Sequence, residues 1–160
     1  MKTTISFKNS ELAGIANTLG GFKLKGKASL GRSVLIHKLA LKQEEYMNDR
    51  VEVQRSYFEA DNRGNLKTLD KESGKLIPKS EYADKKDPSK LGEEPEGKLN
   101  KEMEDLTAEK ATIDFSEYSP RFKALKAALD DYPYELEKDD AVVYSRVYDQ
   151  LEEAFSKGEK

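Results

Sequence analysis

A run of more than thirty residues without proline, from about residue 27 to residue 60, most constrains how this chain can fold. Apolar residues return every three or four positions along it, which is the spacing of one helix face. This stripe consists of Leu35, Leu39, Tyr46 and Val53. At 1.5 Å per residue the helix would be about 45 Å long. Lys42 and Asp49 stand where a strict heptad requires apolar residues, so the pattern predicts a helix that crosses other helices rather than a two-stranded coiled coil.

The composition favours long helices with wide solvated faces. Of the 160 residues, 36% are hydrophobic and 37% are charged, which is leaner in apolar residues than an average globular domain. Cysteine is absent, which excludes disulfides, thiolate metal sites and a cysteine nucleophile. No segment is apolar enough for a signal peptide or a membrane span. We therefore expect a soluble, cytoplasmic protein without a membrane partner.

Two short segments of alternating polar and apolar residues predict strands that pair with each other. They are TTISF at residues 3–7 and ATIDF at residues 111–115. The first strand precedes a short helix that Asn9 or Ser10 would cap through a side-chain oxygen, and Gly20-Gly21 would end that helix.

The last third of the chain predicts two more helices. Ser119 is expected to cap the first of them, with Pro120 in its first turn and Pro133 beyond its end. The final helix should begin near Asp139-Asp140, whose charges favour a helix N-terminus. The expected buried residues are Phe122, Leu125, Leu129, Tyr132, Tyr144, Val147, Leu151 and Phe155.

Together these patterns predict a predominantly α protein of the α+β class. A long helix packs with a C-terminal helical group, beside a small two-stranded element. Residues 1–61 hold the first strand, the short helix and the long helix. Residues 62–97 form a polar hairpin or flexible arm, with its turn near 71–74, and residues 98–160 form a helical part that packs on the first, as one structural domain.

The segment GFKLKGKAS, residues 21–29, has the GxxxxGK spacing of a phosphate-binding loop but lacks its other requirements. Ala28 stands where the motif needs the serine or threonine that holds magnesium. A helical pattern, rather than a buried strand, precedes Gly21. The pattern favours a helix–turn–helix corner, and we expect no cofactor.

Basic residues are concentrated around this corner. Residues 1–58 contain ten Lys and Arg against five Asp and Glu, and the remainder contains eighteen against twenty-six. The candidate patch for an anionic partner consists of Lys23, Lys25, Lys27, Arg32 and Lys38. This patch could hold a nucleic-acid backbone, but it lacks interleaved aromatic residues and known duplex-reading motifs. Nucleic acid is therefore not the favoured partner, and solvation or attraction between the two halves is the favoured explanation of the charge asymmetry.

Tyrosine is the other unusual choice, with eight residues against no tryptophan. Four of them gather in the last third of the chain, namely Tyr132, Tyr134, Tyr144 and Tyr148. Tyrosine combines contact area with a polar tip, so this cluster is a candidate protein interface, although it could equally close the rim of a thin helical core.

The remaining polar groups form no catalytic constellation. His37 falls within the long helix and has no identifiable partner. The pairs Asp130-Asp131 and Asp139-Asp140 stand at predicted helix ends, where capping and solvation explain them. The acidic residues Glu102, Asp105 and Glu109 share one helix face, which is typical of a solvated surface. We therefore expect a protein that is not an enzyme and binds no metal.

Three stretches taken together resemble a family of small, uncharacterised proteins encoded by phages and prophages of Gram-positive bacteria. These are ISFKNSEL with LKGKASLGRSVLIHKL, the acidic EMEDL, and ATIDFSEYSPRFKALKAAL. The resemblance brings no catalytic residues. It implies an intracellular viral product, either a virion or assembly accessory or a factor that acts on a host protein. Together with the absent catalytic constellation, the long helix and the clustered tyrosines, it favours a non-enzymatic factor that binds a host or phage protein, as an inhibitor or modulator of a host defence or replication protein whose surface it occludes. The alternatives are a virion or assembly accessory that self-associates through its helices, and a nucleic-acid-backbone binder that uses residues 23–32.

Overall fold

The computed structural model describes residues 2–156 and shows a predominantly helical α+β fold, as predicted. The chain order is β1 (Thr4–Lys8), α1 (Leu12–Leu19), α2 (Gly26–Arg55), α3 (Glu93–Ala108), β2 (Lys110–Asp114), α4 (Ser119–Asp130) and α5 (Lys138–Ser156). Short 3-10 turns at Asn9–Glu11 and Ser116–Tyr118 precede α1 and α4. Met1 and residues 157–160, at the ends of the predicted ranges, lie outside the described residues.

The contacts divide the chain into two compact units. The discontinuous unit comprises residues 1–44 and 109–160, and the central unit comprises residues 45–108. These divisions fall within α2 and just after α3, whereas the sequence placed boundaries after residues 61 and 97. That the whole chain forms one domain remains a prediction.

The discontinuous unit contains the two-stranded sheet that alternation predicted. Strands β1 and β2 are antiparallel, with Ile5 opposite Ile113 and Phe7 opposite Ala111. All four side chains are buried, while Ser6 on the other face exchanges a 3.0 Å hydrogen bond with Thr112. Alternation therefore specifies both the pairing and the buried face.

Helices α1, α2, α4 and α5 cover the buried face of this sheet. Their core residues are Leu12, Ile15, Leu19, Leu35, Leu39, Phe122, Leu125, Leu129, Val147, Leu151 and Ala154. Phe115 and Phe122 stack with their ring centroids 4.6 Å apart, and both are fully buried. Of the expected core residues, Tyr132, Tyr144 and Phe155 are only partly buried, at the rim of this core.

Two predicted helix caps are wrong. Asn9 and Ser10 lie inside the 3-10 turn, and the Glu11 carboxylate instead accepts a 2.9 Å hydrogen bond from the Lys8 amide. Ser119 is the first residue of α4, and its hydroxyl donates to the carbonyl of Ser116 rather than capping the helix. Both errors arise because a 3-10 turn precedes each helix and displaces the cap, which single-residue preferences do not reveal.

The central unit contains the end of α2, helix α3 and an irregular segment between them. Isolated antiparallel bridges join Phe58 to Pro78, Ala60 to Leu66, Thr68 to Leu76 and Ala83 to Leu91. The Thr68–Leu76 bridge encloses the predicted turn, where Gly74 has a φ of 63°. Helix α2 ends at Arg55, five residues before the predicted end, and α3 begins at Glu93, inside the segment predicted as an arm.

Candidate functional site

The turn after α1 and the loop after α4 enclose a groove with a volume of about 830 Å³ in the discontinuous unit. We call it the lysine–tyrosine groove. It is lined by Lys23, Leu24, Lys25, Ala28, Ala127, Ala128, Asp131, Tyr132, Pro133 and Tyr134. Parts of two predicted surfaces thus meet in one place, because Lys23 and Lys25 lie beside Tyr132 and Tyr134, more than one hundred residues away in sequence.

Backbone and ring contacts fix the turn against the loop. Phe22 is buried, and its ring centroid lies 5.3 Å from that of Tyr132. The Lys23 amide donates a 3.0 Å hydrogen bond to the Tyr132 hydroxyl. Gly26 then adopts a φ of 61°, which favours glycine, where the chain passes from the irregular residues 23–25 into α2. The groove is therefore built on a structured corner.

The exposed chemistry of the groove is both cationic and aromatic. The Lys23 ammonium lies 4.8 Å from the centroid of the Tyr134 ring, a cation–π arrangement. Tyr134 is 47% exposed, although its ring also packs edge-on against Tyr132 at 5.3 Å. Lys25 adds a second positive charge and Asp131 a single negative one. Such a groove can hold an acidic group beside an apolar side chain.

The four predicted tyrosines form a continuous series of ring contacts but differ in their roles. Tyr132 lies 6.2 Å from Tyr144, which stacks on Tyr148 at 5.8 Å. Tyr144 donates a hydrogen bond to the carbonyl of Leu129, at the end of α4. Tyr144 and Tyr148 thus join α5 to α4, whereas Tyr132 and Tyr134 line the groove.

Tyr148 belongs to a charged network at the α4–α5 contact. Its hydroxyl donates a 2.6 Å hydrogen bond to Asp130, and this bond raises the pKa of Tyr148 to about 12. The Lys126 ammonium lies 3.0 Å from Asp130 and 2.9 Å from Glu152. The bond from Tyr148, followed by that from Lys126, holds the pKa of Asp130 below its usual value. Asp130 is therefore a structural acceptor in this network.

The five predicted cations do not form one patch. Lys23 and Lys25 line the lysine–tyrosine groove, and Lys27 is exposed in the first turn of α2. Arg32 turns inward and donates to the carbonyls of Phe22 and Leu19. Lys38 lies in another groove, described below.

Helices α2 and α4, with the turn before α4, enclose a second groove in the same unit, with a volume of about 450 Å³. Its lining residues are Leu30, Ser33, Val34, His37, Lys38, Leu41, Glu117, Tyr118 and Arg121. The Lys38 ammonium lies 5.8 Å and the Arg121 guanidinium carbon 5.1 Å from the centroid of the Tyr118 ring. The stripe predicted for the long helix did not include Leu30, Val34 or Leu41, so this groove was not predicted from the sequence.

The central unit has a groove of its own, of about 840 Å³, which the sequence did not predict. Tyr57 and Tyr82 meet there with ring centroids 5.6 Å apart. Burial, followed by a hydrogen bond to Glu102, raises the pKa of Tyr57. The rim mixes both signs of charge, with Glu81, Asp84, Glu93 and Glu94 against Lys85, Lys86 and Lys98. This mixture favours no particular class of ligand.

Within residues 2–156, no three His, Cys, Asp or Glu side chains come together as metal ligands would. His37 is exposed on α2, and Asp139 and Asp140 occupy the first turn of α5. Among the helices of this part of the chain, none is both long and apolar enough to cross a membrane.

Comparison with known proteins places the chain in a family without assigning it an activity. No curated protein matches it, and no solved structure matches it. A family model described as "Protein of unknown function (DUF1617)" matches residues 1–159, which is nearly the entire sequence. The chain therefore belongs to the DUF1617 family.

Proposed function

We propose that this protein is a non-enzymatic protein-binding factor whose lysine–tyrosine groove covers part of the surface of a partner protein. The observation that carries the proposal is the meeting of Lys23 and Lys25 with the exposed ring of Tyr134 in a single groove. Tyrosine is enriched among the residues that dominate protein–protein binding energy. Lysines beside such an anchor favour a partner of opposite charge.

The chemistry of the groove defines the partner segment. The alanine and leucine side chains of its walls suit an aliphatic or aromatic side chain, since they offer no hydrogen-bonding group. The two lysines suit a carboxylate next to that side chain. We therefore propose an acidic segment with one apolar anchor residue as the part of the partner that binds.

The biological setting is part of the same proposal. The resemblance of the quoted stretches to phage and prophage proteins of Gram-positive bacteria supports a phage-encoded protein that acts in the host cytoplasm. Its partner is then a host defence or replication protein, whose surface it occludes. A virion or assembly accessory that self-associates through its helices is the alternative, and incorporation of the chain into phage particles would support it.

Capture of the partner from host lysate by the tagged full-length chain tests the proposal. We compare wild type with Tyr134→Ser and with Lys25→Glu, and we use Lys123→Glu as the matched charge control because Lys123 is exposed on α4 and does not line the groove. One nuclease-resistant protein should be retained by wild type and by the control. Each groove variant should reduce its apparent affinity at least about tenfold.

Two results would overturn the proposal. Retention of the same partner by both groove variants would show that binding uses another surface. Loss of the partner on nuclease treatment would favour the nucleic-acid-backbone alternative. The positions of two cations count against that alternative. Arg32 donates to a backbone carbonyl of its own chain, and Lys38 lines another groove.

A further inference from the structure

The second groove exposes an apolar stripe on α2 that lies on a different face from the buried one. Leu30 is 51% exposed and Leu41 is 49% exposed, although another face of the same helix supplies core residues. Apolar side chains that share one exposed surface can mark an interaction site. Val34 is half-buried and His37 is exposed between them. The spacing of these four residues is four, three and four, which is the spacing of a seam between two helices.

This spacing is the same when it is read in either direction. A two-fold axis midway between residues 35 and 36 would set Leu30 of one copy level with Leu41 of a second copy. The same axis would set Val34 level with His37 of the second copy. A surface that matches itself after such a rotation is what a closed two-fold dimer requires.

The residues that continue the stripe at each end support the same arrangement through their charges. Lys27 precedes Leu30 by three positions, and Glu44 follows Leu41 by three positions, so both stay on the seam. Both side chains are exposed in the described structure. The axis that pairs the leucines sets Lys27 level with Glu44 of the second copy, so each end of the seam brings opposite charges together. In a parallel pair, Lys27 would face Lys27 and Glu44 would face Glu44.

We propose that the α2 stripe, Lys27–Leu30–Val34–His37–Leu41–Glu44, is a self-association surface at which a second copy of this chain binds in antiparallel orientation. The leucines supply apolar burial, since each is about half exposed in the single copy. The ring of Tyr118, beside Arg121 and Lys38, forms the wall of the groove along the incoming helix. All these residues belong to the discontinuous unit, and the proposal goes beyond the binding of a partner protein.

Sedimentation equilibrium of the full-length chain tests the surface with charge reversals. Wild type should dimerise in the micromolar range. Lys27→Glu and Glu44→Lys should each raise the dissociation constant of the dimer about tenfold. In either variant, both symmetric contacts between residues 27 and 44 change from attraction between opposite charges to repulsion between like charges. The double variant Lys27→Glu/Glu44→Lys should recover the wild-type dissociation constant within about threefold. Lys123→Glu, an exposed change of the same sign off the stripe, should leave dimerisation unchanged.

Cysteine cross-linking tests the orientation, because the chain contains no cysteine of its own. A mixture of Leu30→Cys and Leu41→Cys proteins should form mixed disulfides, whereas either variant alone should form few. Leu41→Glu should abolish the dimer at these concentrations while the helical circular-dichroism signal is retained, since Leu41 contributes little to the core.

Several outcomes would overturn the proposal. A wild-type chain that stays monomeric throughout the micromolar range would do so. The proposal would also be overturned if the Leu41→Glu protein still formed the dimer. It would equally fail if Lys27→Glu/Glu44→Lys did not restore the wild-type dissociation constant that the single changes weaken. Self-linking of Leu30→Cys alone would contradict the antiparallel arrangement.

Discussion

Replacing Gly31 with alanine tests the closest approach between two helices of the discontinuous unit. Gly31 is buried on α2 where that helix crosses α4. A Cβ atom built there would lie 2.3 Å from the carbonyl oxygen of Arg121 and 3.3 Å from the Cβ of Leu125. Since Cβ atoms essentially never approach other atoms closer than 3.0 Å, the helices must separate by at least about 0.7 Å.

The size of the effect follows from two opposing terms. Alanine favours a helix interior over glycine by about 1 kcal/mol. Overpacking costs about 1–3 kcal/mol, and the upper end applies because the obstructing atom belongs to a helix backbone and cannot rotate away. We therefore expect Gly31→Ala to lower the free energy of unfolding by about 2 kcal/mol. For a chain of this length that corresponds to a melting temperature lower by about 4–8 °C.

Gly14→Ala is the matched control because it makes the same chemical change inside α1. An added Cβ at Gly14 meets nothing within 4 Å, and the residue is exposed. We expect it to raise the free energy of unfolding by about 0.5–1 kcal/mol. The two variants should therefore differ in sign in urea unfolding followed by far-ultraviolet circular dichroism. The amides of β1 and β2 in the discontinuous unit should exchange their hydrogens faster than wild type in Gly31→Ala and more slowly in Gly14→Ala.

A Gly31→Ala protein that is as stable as wild type would refute the reasoning, because the overpacking cost would then be no larger than the gain in helix propensity of about 1 kcal/mol. If both alanine variants were stabilised by similar amounts, the close crossing of α2 and α4 would not exist in solution.

Three further substitutions test the contacts around this core. Glu11→Gln removes the carboxylate that accepts from Arg146 at 2.8 Å, a bond that lowers the pKa of Glu11 below its ordinary 4.5. This ion pair stabilises the folded protein above the unfolded-state pKa of Glu11, and the stabilisation is lost as pH falls through the folded-state pKa. In urea unfolding, the free energy of unfolding of wild type should therefore exceed that of the variant by about 0.5–1 kcal/mol at pH 7. The two values should be equal near pH 2. Phe122→Ala should lower the free energy of unfolding by about 3–5 kcal/mol, measured in the same way. Asp130→Asn should bring the Tyr148 pKa down from about 12 towards 10, followed by the ring carbon resonances.

Each of these results has a contradicting outcome. If the difference in free energy of unfolding between wild type and Glu11→Gln were the same at pH 7 and at pH 2, the ion pair could not be the cause of that difference. A small cost for Phe122→Ala would mean that the stacked phenylalanines are not a closed core. An unchanged Tyr148 pKa in Asp130→Asn would place its acceptor elsewhere.

The sequence could predict the elements whose pattern is local and periodic. The alternation of TTISF and ATIDF indicated which faces are buried, and pairing the two segments satisfies backbone groups that a single strand would leave open. The buried stripe predicted along the long helix is confirmed for Leu35, Leu39 and Tyr46, all of which are buried, whereas Val53 is only half-buried. The prediction failed at the end of the helix, because residues 56–60 contain no proline or glycine to mark the stop at Arg55.

Features that depend on tertiary contacts could not be predicted in this way. Arg32 was assigned to a surface patch because it stands near a turn and a helix N-terminus, yet its guanidinium donates to the carbonyl of Leu19, at the end of α1, and to that of Phe22 in the following turn. Gly31 gave no helix-breaking signal, since its role depends on a chain segment ninety residues away. The groove that joins Lys23 to Tyr134 likewise depends on how α1, α2 and α4 pack, and neither segment indicates the other.

The large apolar side chains that remain exposed are informative in a chain so rich in charge. Among the described residues they are Leu30, Leu41, Met47, Leu69, Tyr134 and Val142. Half of them lie on the two surfaces to which we assign binding, the lysine–tyrosine groove and the α2 stripe. These three, Leu30, Leu41 and Tyr134, belong to the discontinuous unit, and each stands beside basic residues in its groove.

The two surfaces share no lining residue, so a dimer formed through the α2 stripe carries two free lysine–tyrosine grooves. Two linked sites bind a partner that presents two copies of its segment more tightly than either site alone, because the second contact becomes intramolecular. Leu41→Glu should therefore weaken binding to a densely immobilised partner while leaving the affinity for the same partner free in solution unchanged. Tyr134→Ser should weaken both measurements. If Leu41→Glu lowered the solution affinity as well, the stripe would contact the partner directly and the two surfaces would act as one.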